Sequence, residues 1–129
     1  MDLPSHCWDR SRALDGVGGD EEFLSELAGI FCAACSTLLQ SLEDSISAEN
    51  LFSAADAAHL LYCSARSLVA TRVLEAALAV EKMARRNEIE GICNACYTLR
   101  QEAELLVDEL ADFRNKRFET LRKPGSLRT

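Results

Sequence analysis

The stretch AADAAHLLYCSAR, residues 54–66, sets a single imidazole, His59, in a row of small apolar residues. A neutral imidazole carries a lone pair that can hold a metal, take a proton or attack an electrophile. The other histidine, His6, stands beside Cys7 and Trp8 with no spaced partner, and no role is assigned to it. Six cysteines occupy positions 7, 32, 35, 63, 93 and 96. Cys32–Cys35 and Cys93–Cys96 have the CxxC spacing of zinc ligands, but such pairs usually lie in turns. Here both pairs fall inside long amphipathic stretches. We therefore expect no metal, and cysteines that pack as small hydrophobes. The N-terminus MDLPSHCWDR lacks a basic region followed by an apolar one, so free thiols are expected rather than disulfides.

Which way His59 points depends on the helix that carries it. Leu51, Ala54, Ala58, Leu61, Ala65 and Leu68 recur at steps of three and four, which predicts a helix with those residues as its core stripe. His59 lies one position past Ala58, about 100° round the axis. Phe52, Ala55, Asp56, Tyr62, Cys63 and Arg66 share its face, which is mixed and edged with charge. The imidazole is expected to project into solvent between two short side chains, Ala55 and Cys63.

Three further helices are expected around it. Asp20 is a good N-cap, followed by Glu21 and Glu22, and opens a helix over about 20–47 with Leu24, Leu27, Phe31, Ala34 and Leu38 inward. A helix over about 70–86 carries Val73, Ala76, Val80 and Met83 on one side. Asn87 followed by Glu90 resembles a capping box, and opens a stripe of Ile89, Ile92, Cys96, Leu99, Ala103, Leu106, Leu110 and Phe113. A short helix near Trp8–Leu14 precedes them. The expected fold is all-α: an antiparallel up-down-up-down four-helix bundle with a short N-terminal helix. Its parts are an N-terminal segment 1–19, a bundle 20–117 and a basic tail 118–129.

Composition narrows the function classes. Hydrophobic residues make up 48% of the 129, enough for one core, while aromatics are 6% and prolines number two. No run of about 18 apolar residues occurs, so no membrane span is expected and the chain is read as cytoplasmic. The net charge is −7, distributed as +5 from Arg114 onward and −12 before it, which argues against nucleic acid as a partner. No phosphate-cradling glycine loop or nucleophile elbow appears, so the chain is not read as an enzyme.

Residues 57–64, A-A-H-L-L-Y-C-S, resemble the motif A-H-x-L-K-G-S of histidine-containing phosphotransfer (HPt) domains. G-G-D-E-E-F-L at 18–24 is similar to that family's G-G-D-x-x-L start. Val80-Glu81 and Arg85-Arg86-Asn87-Glu88 stand where the family often has Leu-Glu and an R-x-G-D turn, and the likeness runs over about 12–113. The resemblance implies a phosphorelay intermediary. His59 would accept a phosphoryl group from a receiver-domain aspartate and pass it to another receiver. The partners implied are a response-regulator receiver domain and a hybrid histidine kinase. No cofactor of its own is implied; Mg²⁺ is expected on the receiver, since phosphoryl transfer depends mainly on positioning and charge neutralisation. A monomer is expected.

The sequence departs from the family pattern at telling places. The family's lysine, held to steady the phosphoryl charge, is Tyr62, which can donate one hydrogen bond but brings no cation. Arg66, about 10 Å further along the same face, could lean back in its place. The family's glycine is Cys63, and a second glycine, at the turn after the helix, is Val69. The phosphate's expected neighbours are thus Tyr62, Ser64 and Arg66. The docking face would comprise Phe23, Phe52, Ala55, Asp56 and Cys63. These departures raise an alternative: an HPt-like bundle that binds a receiver or kinase as inhibitor or scaffold without transferring.

Overall fold

The computed structural model describes residues 7–122, with side chains to Lys116; His6 and the end of the basic tail lie outside the described residues. Five helices follow one another, α1 (Arg10–Gly16), α2 (Glu21–Ser47), α3 (Leu51–Arg66), α4 (Thr71–Arg85) and α5 (Ile92–Arg122), and no strand occurs among the described residues. Each long helix packs against two others: α3 on α2 and α4, and α5 on α2 and α4. Helices α1, α2 and α3 begin where short polar side chains supply an acceptor for an unpaired N–H, whereas α4 starts after Ala70 without one. Asp9 accepts from the Arg12 N–H, Asp20 from that of Phe23 and Asn50 from that of Ser53.

Helices α2 and α4 end in a shared way. Glu49 (φ 57°) and Asn87 (φ 60°) are left-handed residues just past α2 and α4. After α2, the Asn50 N–H donates to the Ser45 carbonyl at 2.8 Å and the Glu49 N–H to that of Ile46 at 3.0 Å. After α4, the Glu88 N–H reaches the Met83 carbonyl at 2.9 Å and the Asn87 N–H that of Ala84 at 3.1 Å. Both are Schellman closures. Asn87 therefore stops α4 rather than opening the last helix, which starts only at Ile92. The difference has a physical source: asparagine suits an N-cap and a left-handed C-terminal position alike. Ile89, read as the top of the core stripe, falls in the connection and is 60% exposed.

The core is assembled from the stripes, with one shift. The expected Leu51, Ala54, Ala58, Leu61 and Ala65 of α3 and Leu68 just past its end are all buried, and on α5 every one from Ile92 to Phe113 is. On α2 the buried line is Leu24, Ala28, Phe31, Cys35, Leu39 and Leu42, while Leu27, Ala34 and Leu38 lie half-buried beside it. The same displacement puts Ala77 and Ala84 of α4 inside and leaves Ala76 and Met83 at the margin. By length and composition α2 is apolar enough to cross a membrane, with a mean hydropathy of 1.4, yet its inner line packs into this bundle.

The chain ahead of α1 straps one end of the bundle. Trp8 meets Phe113 edge-on at 5.4 Å, Arg10 lies over the same ring at 4.6 Å, and the Asp9 N–H donates to the Val69 carbonyl at 3.1 Å. All six cysteines are free. Cys7, Cys35 and Cys96 are buried and Cys32 is half-buried, in line with packing, but Cys63 and Cys93 are exposed.

Candidate functional site

His59 stands in the middle of α3, its side chain 51% exposed. Its ring nitrogens are in different company. Nδ1 lies 3.2 Å from Oε1 of Glu81, which reaches across from α4. The Glu81 side chain is itself only 12% exposed, and its second oxygen accepts from Nε of Arg85 at 3.0 Å. A carboxylate held this way is an acceptor, so the proton of the neutral ring sits on Nδ1 and the lone pair on Nε2. Nε2 faces Sγ of Cys63 at 3.4 Å, one helical turn on; the thiol is then the donor and Nε2 the acceptor. The ring also stacks on Tyr62, with centroids 6.3 Å apart and planes at 18°.

This arrangement does two things chemically. The Glu81 contact fixes the ring's tautomer and orientation without covering it. It also offers a negative charge to an imidazolium that would form if Nε2 were to make a bond. The charge does not stand alone: Arg85 neutralises Glu81 from behind and lies 3.8 Å from Asp56.

The remaining expected site residues separate into groups. Tyr62 is half-buried beside the ring, and Ser64 is half-buried as well. Arg66 is exposed at the end of α3, with no ion pair among the described residues, and so is an uncommitted cation on this face. Phe52 is 75% exposed, and Asp56 is exposed. Ala55 is not at the surface: it is 1% exposed, so it spaces α3 from its neighbour instead of offering a contact to a partner. Phe23 is exposed, but belongs to the first turn of α2.

Glu81 and Arg85 entered the sequence reading only as matches to the family pattern, not as neighbours of His59. A signal existed. Glu81 lies one residue past Val80 on the α4 stripe, as His59 lies one past Ala58 on α3. Two adjacent helices offset alike put both residues at one groove edge.

A family model described as Hpt domain matches residues 26–114, most of the chain and all of α3 and α4. The chain belongs to the Hpt domain family. Membership carries a phosphotransfer role in two-component signalling, as a carrier in exchange with receiver domains and kinases. Among solved structures, this Hpt domain is similar to histidine-containing phosphotransfer protein B (HptB) from Pseudomonas aeruginosa PAO1. The TM-score is 0.80 at 16% identity, over 88% of this chain and 98% of that one. At that identity the likeness speaks for the fold. No curated protein matches the chain in sequence.

Proposed function

We propose that this Hpt domain takes a phosphoryl group onto Nε2 of His59 from the aspartyl phosphate of a receiver domain and hands it to a second receiver. The single observation that carries this is the pairing of Nδ1 with Glu81 at 3.2 Å on a ring still half open to solvent. In the transfer, the Nε2 lone pair attacks phosphorus, the P–O bond to the aspartate breaks, and the carboxylate leaves with the bonding pair. The Nδ1 proton stays in place, and the ring's new positive charge is met by Glu81. Mg²⁺ on the receiver would neutralise the phosphoryl oxygens, with Arg66 and the Tyr62 hydroxyl as this chain's contribution.

The four long helices are read as running up-down-up-down, because their connections are short. On that reading His59 lies about 12 Å from the α2–α3 turn and Phe23 about 36 Å from it, at 1.5 Å per residue. The docking face is accordingly centred on Phe52, Asp56, Cys63 and Arg66, and Phe23 is left out of it. A cytoplasmic monomer suits a carrier that must meet two partners in turn.

The alternative, a bundle that binds a receiver without transfer, draws on one observation: the Cys63 thiol engages the nucleophilic lone pair where the family has glycine. One experiment separates the two. Receivers carrying labelled phosphate are mixed with wild type and with His59→Gln. Labelling of wild type and not of the variant supports the relay. Binding of receivers by both proteins with labelling of neither supports the alternative, and equal labelling of both excludes His59 as acceptor.

A further inference from the structure

We propose that His59 and Cys63 form a two-ligand site for a thiol-seeking divalent cation of the zinc class, built on the ring nitrogen assigned above to the phosphoryl group. Binding does not depend on that assignment; only the consequence for transfer rests on it. Sγ and Nε2 are 3.4 Å apart on one turn of α3. A tetrahedral zinc ion with bonds of about 2.05 Å to nitrogen and about 2.3 Å to sulfur holds those two donors about 3.5 Å from each other. The pair therefore has the bite of a chelate with almost no movement of the helix. Glu81 on Nδ1 supplies the outer carboxylate that orients a ligating imidazole and leaves Nε2 as the donor atom.

Access and chemistry single this pair out from the other thiols. Cys63 is exposed and the His59 side chain is 51% exposed, so a hydrated ion can approach. Each of the two CxxC pairs has one member whose thiol burial pushes up to about 11, Cys35 in one and Cys96 in the other. Metal binding there must both expose and deprotonate a buried sulfur. At His59–Cys63 the thiol gives its proton to solvent, Sγ–metal and Nε2–metal bonds form, and the hydrated ion sheds waters as it becomes four-coordinate. Its other two positions stay with water. Metal and phosphoryl group then compete for one lone pair, so zinc shuts the carrier off.

The test uses the full chain, reduced and freed of metal by a chelator, titrated with Zn²⁺ against a colorimetric competitor. Co²⁺ serves as a spectroscopic stand-in that reports thiolate ligation. Wild type is expected to bind one equivalent that His59→Gln and Cys63→Ser each bind at least about tenfold more weakly, with helical circular dichroism unchanged in both. With each protein compared with its own metal-free labelling, Zn²⁺ is further expected to suppress phosphoryl labelling of wild type by a larger factor than that of Cys63→Gly. Affinity unchanged in both variants would mean that metal sits elsewhere and would overturn the site. A cobalt spectrum without a thiolate band dependent on Cys63 would do the same. If no protein is labelled even without metal, the relay reading fails while the titration still decides this one.

Discussion

The behaviour of His59 turns on two protons, one on Nδ1 and one on the Cys63 sulfur. The first is pinned by Glu81, whose acceptor role is secured in turn by Arg85. Replacing Glu81 therefore separates orientation from charge. Glu81→Gln keeps a carbonyl oxygen for the Nδ1 proton and is expected to retain most of the single-turnover transfer rate. Glu81→Ala frees the ring and is expected to slow transfer by about tenfold, the low end of the cost of losing the carboxylate that orients a metal-ligating imidazole. An Ala variant as fast as wild type would show that ring orientation does not matter. At this scale the sequence was informative where helical periodicity speaks: it put His59 outside the core stripe, and the ring is exposed. It misled at Ala55, because periodicity places a residue by angle, whereas burial depends on how closely the next helix packs. It was silent on the Glu81 contact, which spans two helices and 22 positions.

The helices are specified by their stripes and their ends, and the ends are where one residue type serves two purposes. Asn87 reads as an N-cap from its neighbours alone, but the carbonyls left over at the end of α4 claim it first. Glu49 does the same work after α2 with a side chain ill suited to it: φ is 57°, and the residue is exposed. Left-handed backbone costs a residue with a Cβ roughly 1 kcal/mol, part of which glycine returns through its freedom in the unfolded chain. Glu49→Gly is expected to raise unfolding stability by about 0.5–1 kcal/mol in urea titrations. A loss of stability would mean that the α2 closure depends on the Glu49 side chain. On α2 the stripe was placed correctly at Leu24 and Phe31 and one residue off at Leu27, Ala34 and Leu38. Leu27 carries a stronger hydrophobic signal than Ala28, yet Ala28 lies inside, while Leu38 and its buried neighbour Leu39 are of one type, so residue type could not choose between them.

For the molecule as a whole, an apolar interior with no buried polar or charged residue among those described holds a stiff platform under one exposed ring. That interior includes the Cys35 and Cys96 thiols, pushed up from 9.0 to about 11 by burial, with neighbouring charges secondary. A group whose folded pKa is raised stabilises the fold below its unfolded value and loses that contribution as pH climbs through the folded one. The bundle is thus expected to lose stability between about pH 9 and 11, and Cys35→Ala/Cys96→Ala to lose less over the same interval. Thermal unfolding across that range checks it, and identical slopes would remove the thiols from the account. The all-helical fold was legible from composition and stripes. The classes of exchange partner were legible only through the likeness to the family, and which receiver and kinase they are was not, since that is chosen by surface shape that periodicity does not encode.

The central claim is that Nε2 of His59 is the atom that receives the phosphoryl group. Nitrogen NMR of the histidine ring, recorded before and after phosphorylation by a labelled receiver, tests it most directly. The account predicts a new phosphorus-coupled Nε2 signal while Nδ1 keeps its proton and its bond to Glu81. Phosphorus on Nδ1, or an unaltered His59 in a protein that has taken up label, would contradict it.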